Sequence, residues 1–332
     1  MKLRHIWILV TSLILIVSVF AGVSQALVPQ RPAARTTAIL ANVRDYAVAP
    51  KTTSVNYAVD GGRLFAGEPL SWVEVATPAG VIVSAVAMDN ANDNVVYIGA
   101  ANEMAIYRSS DNGQNWLRVP LTDAYIGGVT DLAVDSAQRL VYVGTDTAGL
   151  FRLRDVGSSL VNSGQLLLDE PVLEVVTDNS GQGLAFARTA WNLYRAESFG
   201  LSWVTVDNLQ SAPTALAIAD TTPATVYVGT TDRGVLKSQD GLSWTLANAG
   251  LGFVPGSRLS VNDIAVDPTQ PEVLYVATSY LYGTSELHST PSSVAVSTDD
   301  ALAWAPVGGA LDVAVAELLP VAGQAGAVYA LT

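Results

Sequence analysis

Residues 129–135 read Val-Thr-Asp-Leu-Ala-Val-Asp, with an apolar triplet set between polar residues, and residues 261–267 repeat the pattern as Val-Asn-Asp-Ile-Ala-Val-Asp. Short β-branched runs bounded by polar residues predict a strand. Weaker copies lie at 84–89, 173–178 and 215–220. A more uniformly apolar segment follows each one, at 95–99, 140–144, 183–187, 225–229 and 273–277, often ending Val-Tyr-Val-Gly. Near-continuous apolar text predicts a strand covered on both faces. Third strands are expected at 105–108, 149–152, 192–195, 234–237 and 293–297, and a fourth opens at or just after a recurrent tryptophan. That position falls at 72, 116, 160 (a leucine), 203, 244 and 304, in steps of 44, 44, 43, 41 and 60 residues. A four-strand unit at this period predicts the blades of a propeller.

The third and fourth strands are joined by a polar turn, complete once as Ser109-Ser-Asp111-Asn-Gly113-Gln-Asn-Trp116. Asp there can accept backbone N–H groups, Gly can take a positive φ, and Trp supplies a large ring to bury. Decayed copies carry Asp155, then Gly200 and Trp203, then Asp240 and Trp244, then Asp299 and Trp304. All are expected to be structural. Five continuous blades follow, and the two ends complete a sixth: 311–319 and 327–332 supply its inner strands, 63–66 and 71–75 its outer ones. The expected fold is therefore an all-β, six-bladed β-propeller of four-stranded antiparallel blades, closed by a composite blade from both termini.

Upstream, Lys2 and Arg4 precede an apolar run at 6–23 and the small-residue end Ser24-Gln-Ala26. Residues 1–26 are expected to be a secretory signal peptide cleaved after Ala26, with an uncleaved membrane anchor as the alternative. Residues 27–54, rich in Pro, Ala and Thr, form a linker or are ordered only by docking, and 55–332 form the propeller. The expected location is secreted or extracytoplasmic, in the cell envelope. The chain has no cysteine, so no disulfide supports it. Loss of the signal leaves 15 basic against 30 acidic groups. That balance excludes nucleic acid as a partner and an anionic membrane surface as a docking site.

The Ser-x-Asp-x-Gly-x-x-Trp turn resembles the Asp-box, or BNR, repeat of sialidases, xyloglucan-active glucanases, sortilin-type receptors and photosynthetic assembly-factor propellers. The resemblance covers residues 55–332 and implies a sialidase-like propeller whose turns are remote from any active face. It does not extend to a sialidase site: the early stretch reads Arg63-Leu-Phe, without Ile-Pro, and Arg108, Arg152, Arg154 and Arg195 fall beside the peripheral turns. A glucanase-like site needs two carboxylates facing across a cleft. Aligned inner strands place Ala85, Asp131, Glu174, Leu216, Asp263 and Val313 at one level, so Asp131, Glu174 and Asp263 are the catalytic candidates. The competing expectation is that these acids bond a neighbouring strand's backbone. His5 and His288 form no zinc pair and no EF-hand spacing occurs, so no metal or cofactor is expected.

The 60-residue step reflects an insertion at 279–292 in the last continuous blade. Loops joining second to third strands, and one blade to the next, are expected to share the face opposite the polar turns. That face carries Tyr125, Phe253, Arg258, Tyr280, Tyr282 and His288, a set suited to binding. Two functions stay open: a secreted, non-catalytic propeller binding protein or glycan through this face, or a glycoside hydrolase using the channel carboxylates.

Overall fold

In five of the six blades a large ring on the second strand stands opposite an alanine on the inner strand: Tyr57 against Ala47, Tyr97 against Ala87, Tyr142 against Ala133, Tyr227 against Ala217 and Tyr275 against Ala265. The five tyrosines head the fully buried side chains of the molecule. Each small partner leaves the space its ring fills, and each ring contributes roughly 2 kcal/mol or more by leaving water. The computed structural model that shows this describes residues 40, 43–48, 55–68, 71–252, 254–284, 286–291, 293–308, 311, 313–321, 324 and 326–331. Residues 1–26, expected to be a signal peptide, most of 27–54 and Phe253 lie outside them.

Six four-stranded antiparallel blades succeed one another as a six-bladed β-propeller, and no helix occurs among the described residues. Their inner strands are Val43–Ala47, Val83–Met88, Val129–Asp135, Glu174–Thr177, Pro213–Ala219 and Arg258–Asp267. Blades approach closely because their second strands carry glycine at the contact. A Cβ on Gly99 would stand 2.4 Å from Val129, and one on Gly229 2.5 Å from Val261. The insertion lengthens the sixth blade's second strand to Gln270–Tyr282, on which the short strand His288–Ser289 also pairs.

The closing blade differs from the sequence expectation. Strand Arg63–Glu68 pairs with Asn56–Asp60, and Asn56–Asp60 with Val43–Ala47, so the first blade is complete without the C-terminal strands. The cause is local: Gly61 and Gly62, both at positive φ, close a two-residue hairpin between Asp60 and Arg63. Its inner strand, Val43–Ala47, comes from the stretch expected to be linker or ordered only by docking. The strands Glu317–Pro320 and Val328–Leu331 instead form a two-stranded sheet packed on the sixth blade through Leu318 and Val328.

The polar turns fasten blades together. In the complete copy, Gly113 donates to Ser109 Oγ (2.8 Å) and Asn115 to Asp111 Oδ1 (2.8 Å), with Asn112 and Gly113 at positive φ. The turns at Asp240 and Asp299 repeat this network, and Ala301 occupies the glycine position at φ 58°. Each turn also receives the preceding blade. Tyr97 OH donates to Asp155, which also takes the Arg108 guanidinium at 2.8 Å, both side chains being buried. Tyr142 OH and Arg152 Nε donate to the Phe199 carbonyl, Arg195 Nε to that of Asp240, and Tyr227 OH to Asp300. Gly200 gives Tyr142 its room, and Trp203 meets that ring edge-on at 5.8 Å.

The turn tryptophans are not equal. Trp304 is 4% exposed with its Nε1 on the Ala247 carbonyl at 2.7 Å, whereas Trp116 and Trp244 are half-buried. Trp304→Ala should therefore cost about 3 to 5 kcal/mol in denaturant unfolding, as other buried aromatic truncations do, and Trp116→Ala distinctly less. Equal losses would contradict this packing.

Candidate functional site

Five carboxyl side chains, Asp45, Asp131, Glu174, Asp263 and Glu317, line one central channel with a cavity of about 530 Å³. Strand register places them at one level, each two residues before the position that faces the second-strand ring. In the blades of Asp45 and Asp263 the ladder slips just before the acid, skipping Arg44 and Asn262, and the third blade slips beside Asp131 at Thr130. An extra residue there bends the strand and re-aims the side chain that follows.

The acids are fasteners first. Asp45 Oδ2 accepts the Val86 N–H (2.7 Å), Asp131 Oδ2 that of Val175 (2.6 Å), Glu174 Oε1 that of Leu216 (3.1 Å) and Asp263 Oδ2 that of Leu318 (2.6 Å). Each bond reaches the inner strand of the next sheet. The second oxygens of Asp45 and Asp131 accept their own successors, Tyr46 (2.7 Å) and Leu132 (2.8 Å), and Asp263 also takes the Ile264 N–H. Two acids depart from this pattern. Glu174 Oε2 accepts Arg188 Nε at 2.6 Å, and Glu317 has no hydrogen-bond partner among the described residues. Tyr46, the amide that Glu317 would reach across the ring, is already taken by Asp45.

Burial dominates the electrostatics. It pushes Asp45 up to about 6, Asp263 to about 7 and Glu317 to about 9, with Asp131 well above the ordinary carboxylate range. Repulsion adds to it, because Glu317 faces the negative charge of Asp45, Asp263, Asp131 and Glu174.

Of the three catalytic candidates, Asp131, Glu174 and Asp263 do meet in the channel, and all three bond a neighbouring strand's backbone. Leu216 and Val313 do not occupy the equivalent level. Ala215 and Glu317 do, because a ladder slip after Pro213 shifts the fifth blade by one residue and the Leu319–Tyr329 pair sets the last strand. Sequence alignment missed Asp45, Glu317 and Arg188. The loop-face candidates are spread out. Tyr125 is exposed beside Ile126, which is 97% exposed. Tyr280 packs over Gly252, Tyr282 stacks on His288 at 5.4 Å between ring centres, and Arg258 stands 3.9 Å from Asp232. Trp191, 75% exposed between second and third strands of the fourth blade, was not anticipated either. Among the described residues no group of three or more His, Asp or Glu side chains is placed to hold a metal ion.

A xyloglucanase of Hypocrea jecorina is 29% identical over 171 residues, which is 49% of this chain and 20% of that enzyme. Among solved structures, the GH74 xyloglucanase of Xanthomonas campestris superposes with a TM-score of 0.62 at 20% identity, covering 82% of this chain and 46% of that one. The GH74 enzyme of Niastella koreensis gives 0.60 at 18% identity, over 82% and 46% of the two chains. YCF48 bound to D1 peptide gives 0.56 at 14% identity, over 84% and 86%. These likenesses establish a propeller like those of the GH74 xyloglucanases and YCF48. The chain spans less than half the length of the xyloglucanases it resembles. No family model matches it.

The raised acids set a pH dependence with a definite sign. A carboxyl that keeps its proton in the fold but would release it near 4 when unfolded opposes folding as pH rises. The stability these groups contribute is fully present below about pH 4 and is lost as pH rises above it, the loss levelling off at about 6, 7 and 9 as Asp45, Asp263 and Glu317 in turn ionise in the fold. Melting temperature followed from pH 5 to 9 should decline, and Glu317→Gln should flatten the upper part of that decline. A rise over this range would contradict the burial of these groups as acids.

Proposed function

We propose that this chain is a glycan-directed propeller of the glycoside-hydrolase kind, acting on a β-linked polysaccharide such as xyloglucan laid across the loop face. The observation that carries the reading is the contrast between two carboxyls in one channel. Glu174 is ion-paired with Arg188, while Glu317 is unpaired among the described residues and holds its proton up to about 9. Two carboxyls in contrasting environments supply the proton donor and the carboxylate that glycoside cleavage requires. Glu317 is the donor to the leaving oxygen and Glu174 the nucleophile or base. Asp45, Asp131 and Asp263 are left to the scaffold. The similarity to xyloglucanases supports the substrate class and favours hydrolysis over binding alone.

A second reading is non-catalytic binding of glycan or protein through the same face. It is favoured by the engagement of four of the five channel acids with backbone amides of the neighbouring inner strand.

Reducing-end release from xyloglucan, measured beside polysaccharide retention in affinity gels, separates them. The hydrolase reading expects turnover by the native chain. Glu317→Gln should lower it by about 10² to 10⁴, the usual worth of a general acid, with retention unchanged. Retention without turnover would establish the binding reading. Neither activity would remove glycan as the ligand.

A further inference from the structure

The chain has seven tryptophans, and five of them keep the register of the repeat. Trp72, Trp203 and Trp244 meet Tyr46, Tyr142 and Phe186 edge-on, Trp304 is buried and Trp116 is half-buried. Trp7 lies in the apolar N-terminal run. Trp191 alone falls outside both settings, 75% exposed and without a ring partner among the described residues. An indole held in water forgoes the burial that its counterparts gain.

Its backbone is nonetheless fixed. The Thr189 hydroxyl, in a fully buried residue, accepts the Asn192 N–H at 3.0 Å and the Trp191 N–H at 3.4 Å, and Thr189 N–H donates to the Asn192 carbonyl at 2.9 Å. Asn192 Nδ2 donates to Glu170 Oε1 at 2.7 Å, and Tyr194 OH to the same oxygen at 3.4 Å. The hairpin opens immediately after Arg188, the partner of Glu174. A flat apolar ring is thus presented on a rigid loop whose next residue, Asn192, is bonded to a half-buried carboxylate, next to the strand end that reaches the channel.

A pyranose matches this combination, with a face of C–H groups to lie on the indole and a rim of hydroxyls to donate to the carboxylate. Glu170 and the neighbouring Asp169, on a chain of formal charge −13, exclude an anionic sugar. We propose that Trp191 is a stacking platform for one neutral pyranose ring of a polysaccharide, with Glu170 as hydrogen-bond acceptor for its hydroxyls. This rests on the reading that a glycan crosses the loop face, and adds to it the residue and the neutral sugar class.

Titration calorimetry of the full chain with soluble xyloglucan, and with polygalacturonate as the anionic comparison, tests it. Native protein should bind xyloglucan and not polygalacturonate, and its tryptophan emission should shift to shorter wavelength as Trp191 is covered. Trp191→Ala should weaken binding by about tenfold or more. It should also abolish the emission shift with an unchanged melting temperature, and Trp191→Phe should recover part of the affinity. Native affinity in Trp191→Ala would overturn the platform while leaving glycan binding intact. Equal binding of polygalacturonate would overturn the neutral class. A native chain that binds neither polysaccharide would overturn this inference together with the glycan reading itself.

Discussion

The ring is held by a carboxylate on one inner strand accepting the N–H of the next inner strand, as Asp131 does from Val175. A blade buries its two faces against two neighbours, so no blade is stable alone and the channel wall is where neighbours must register. Charge-assisted bonds to backbone N–H groups are strong and directional, yet burying several carboxyls together carries a desolvation penalty. The raised pKa values are that penalty expressed as retained protons. Where alanine replaces the acid, other contacts take over. Beside Ala85, Ser84 Oγ donates to the Val129 carbonyl of the next blade at 2.6 Å, and Arg233 bridges to Leu259 near the junction that follows Ala215.

A second circle of contacts runs outside the first. Tyrosine hydroxyls and long cations of one blade reach the polar turn of the next, so the turn copies divide their labour between shaping a hairpin and receiving a neighbour. Asp155 shows the second role most fully, with Tyr97, Arg108 and the Gly157 N–H all directed at it. With both circles engaged, the scaffold is rigid and its loop face is free to vary. The long second strand of the sixth blade and the Trp191 hairpin of the fourth are the two places where it departs most from the repeat.

Blade number and strand order were legible because they recur. Repetition let Val129–Asp135 explain Arg258–Asp267 without any knowledge of contacts. What did not recur was lost. The strand Val43–Ala47 has the sequence Val-Arg-Asp-Tyr-Ala, whose polar residues hide its period, and eight residues separate it from its partner Asn56–Asp60. Asp45 disappeared with it. Glu317 was missed because the lengths of the last loops do not reveal the register that the Leu319–Tyr329 pair sets. The one-residue slip that put Leu216 in place of Ala215 follows from a bulge, which alternation alone cannot display. Trp191 could have been found in the sequence, since it is the tryptophan between residues 72 and 304 that breaks the spacing.

The proposed division of the channel acids into fasteners and a catalytic pair turns on Glu317, a carboxyl without a hydrogen-bond partner among the described residues that holds its proton to about pH 9. Side-chain carboxyl NMR of glutamate-labelled protein, titrated from pH 5 to 10, observes that proton directly. One glutamate signal should remain in the protonated range at pH 7, titrate near 9 and vanish in Glu317→Gln. If every glutamate signal were already ionised at pH 7, Glu317 would be an ordinary carboxylate and no proton donor would stand in the channel.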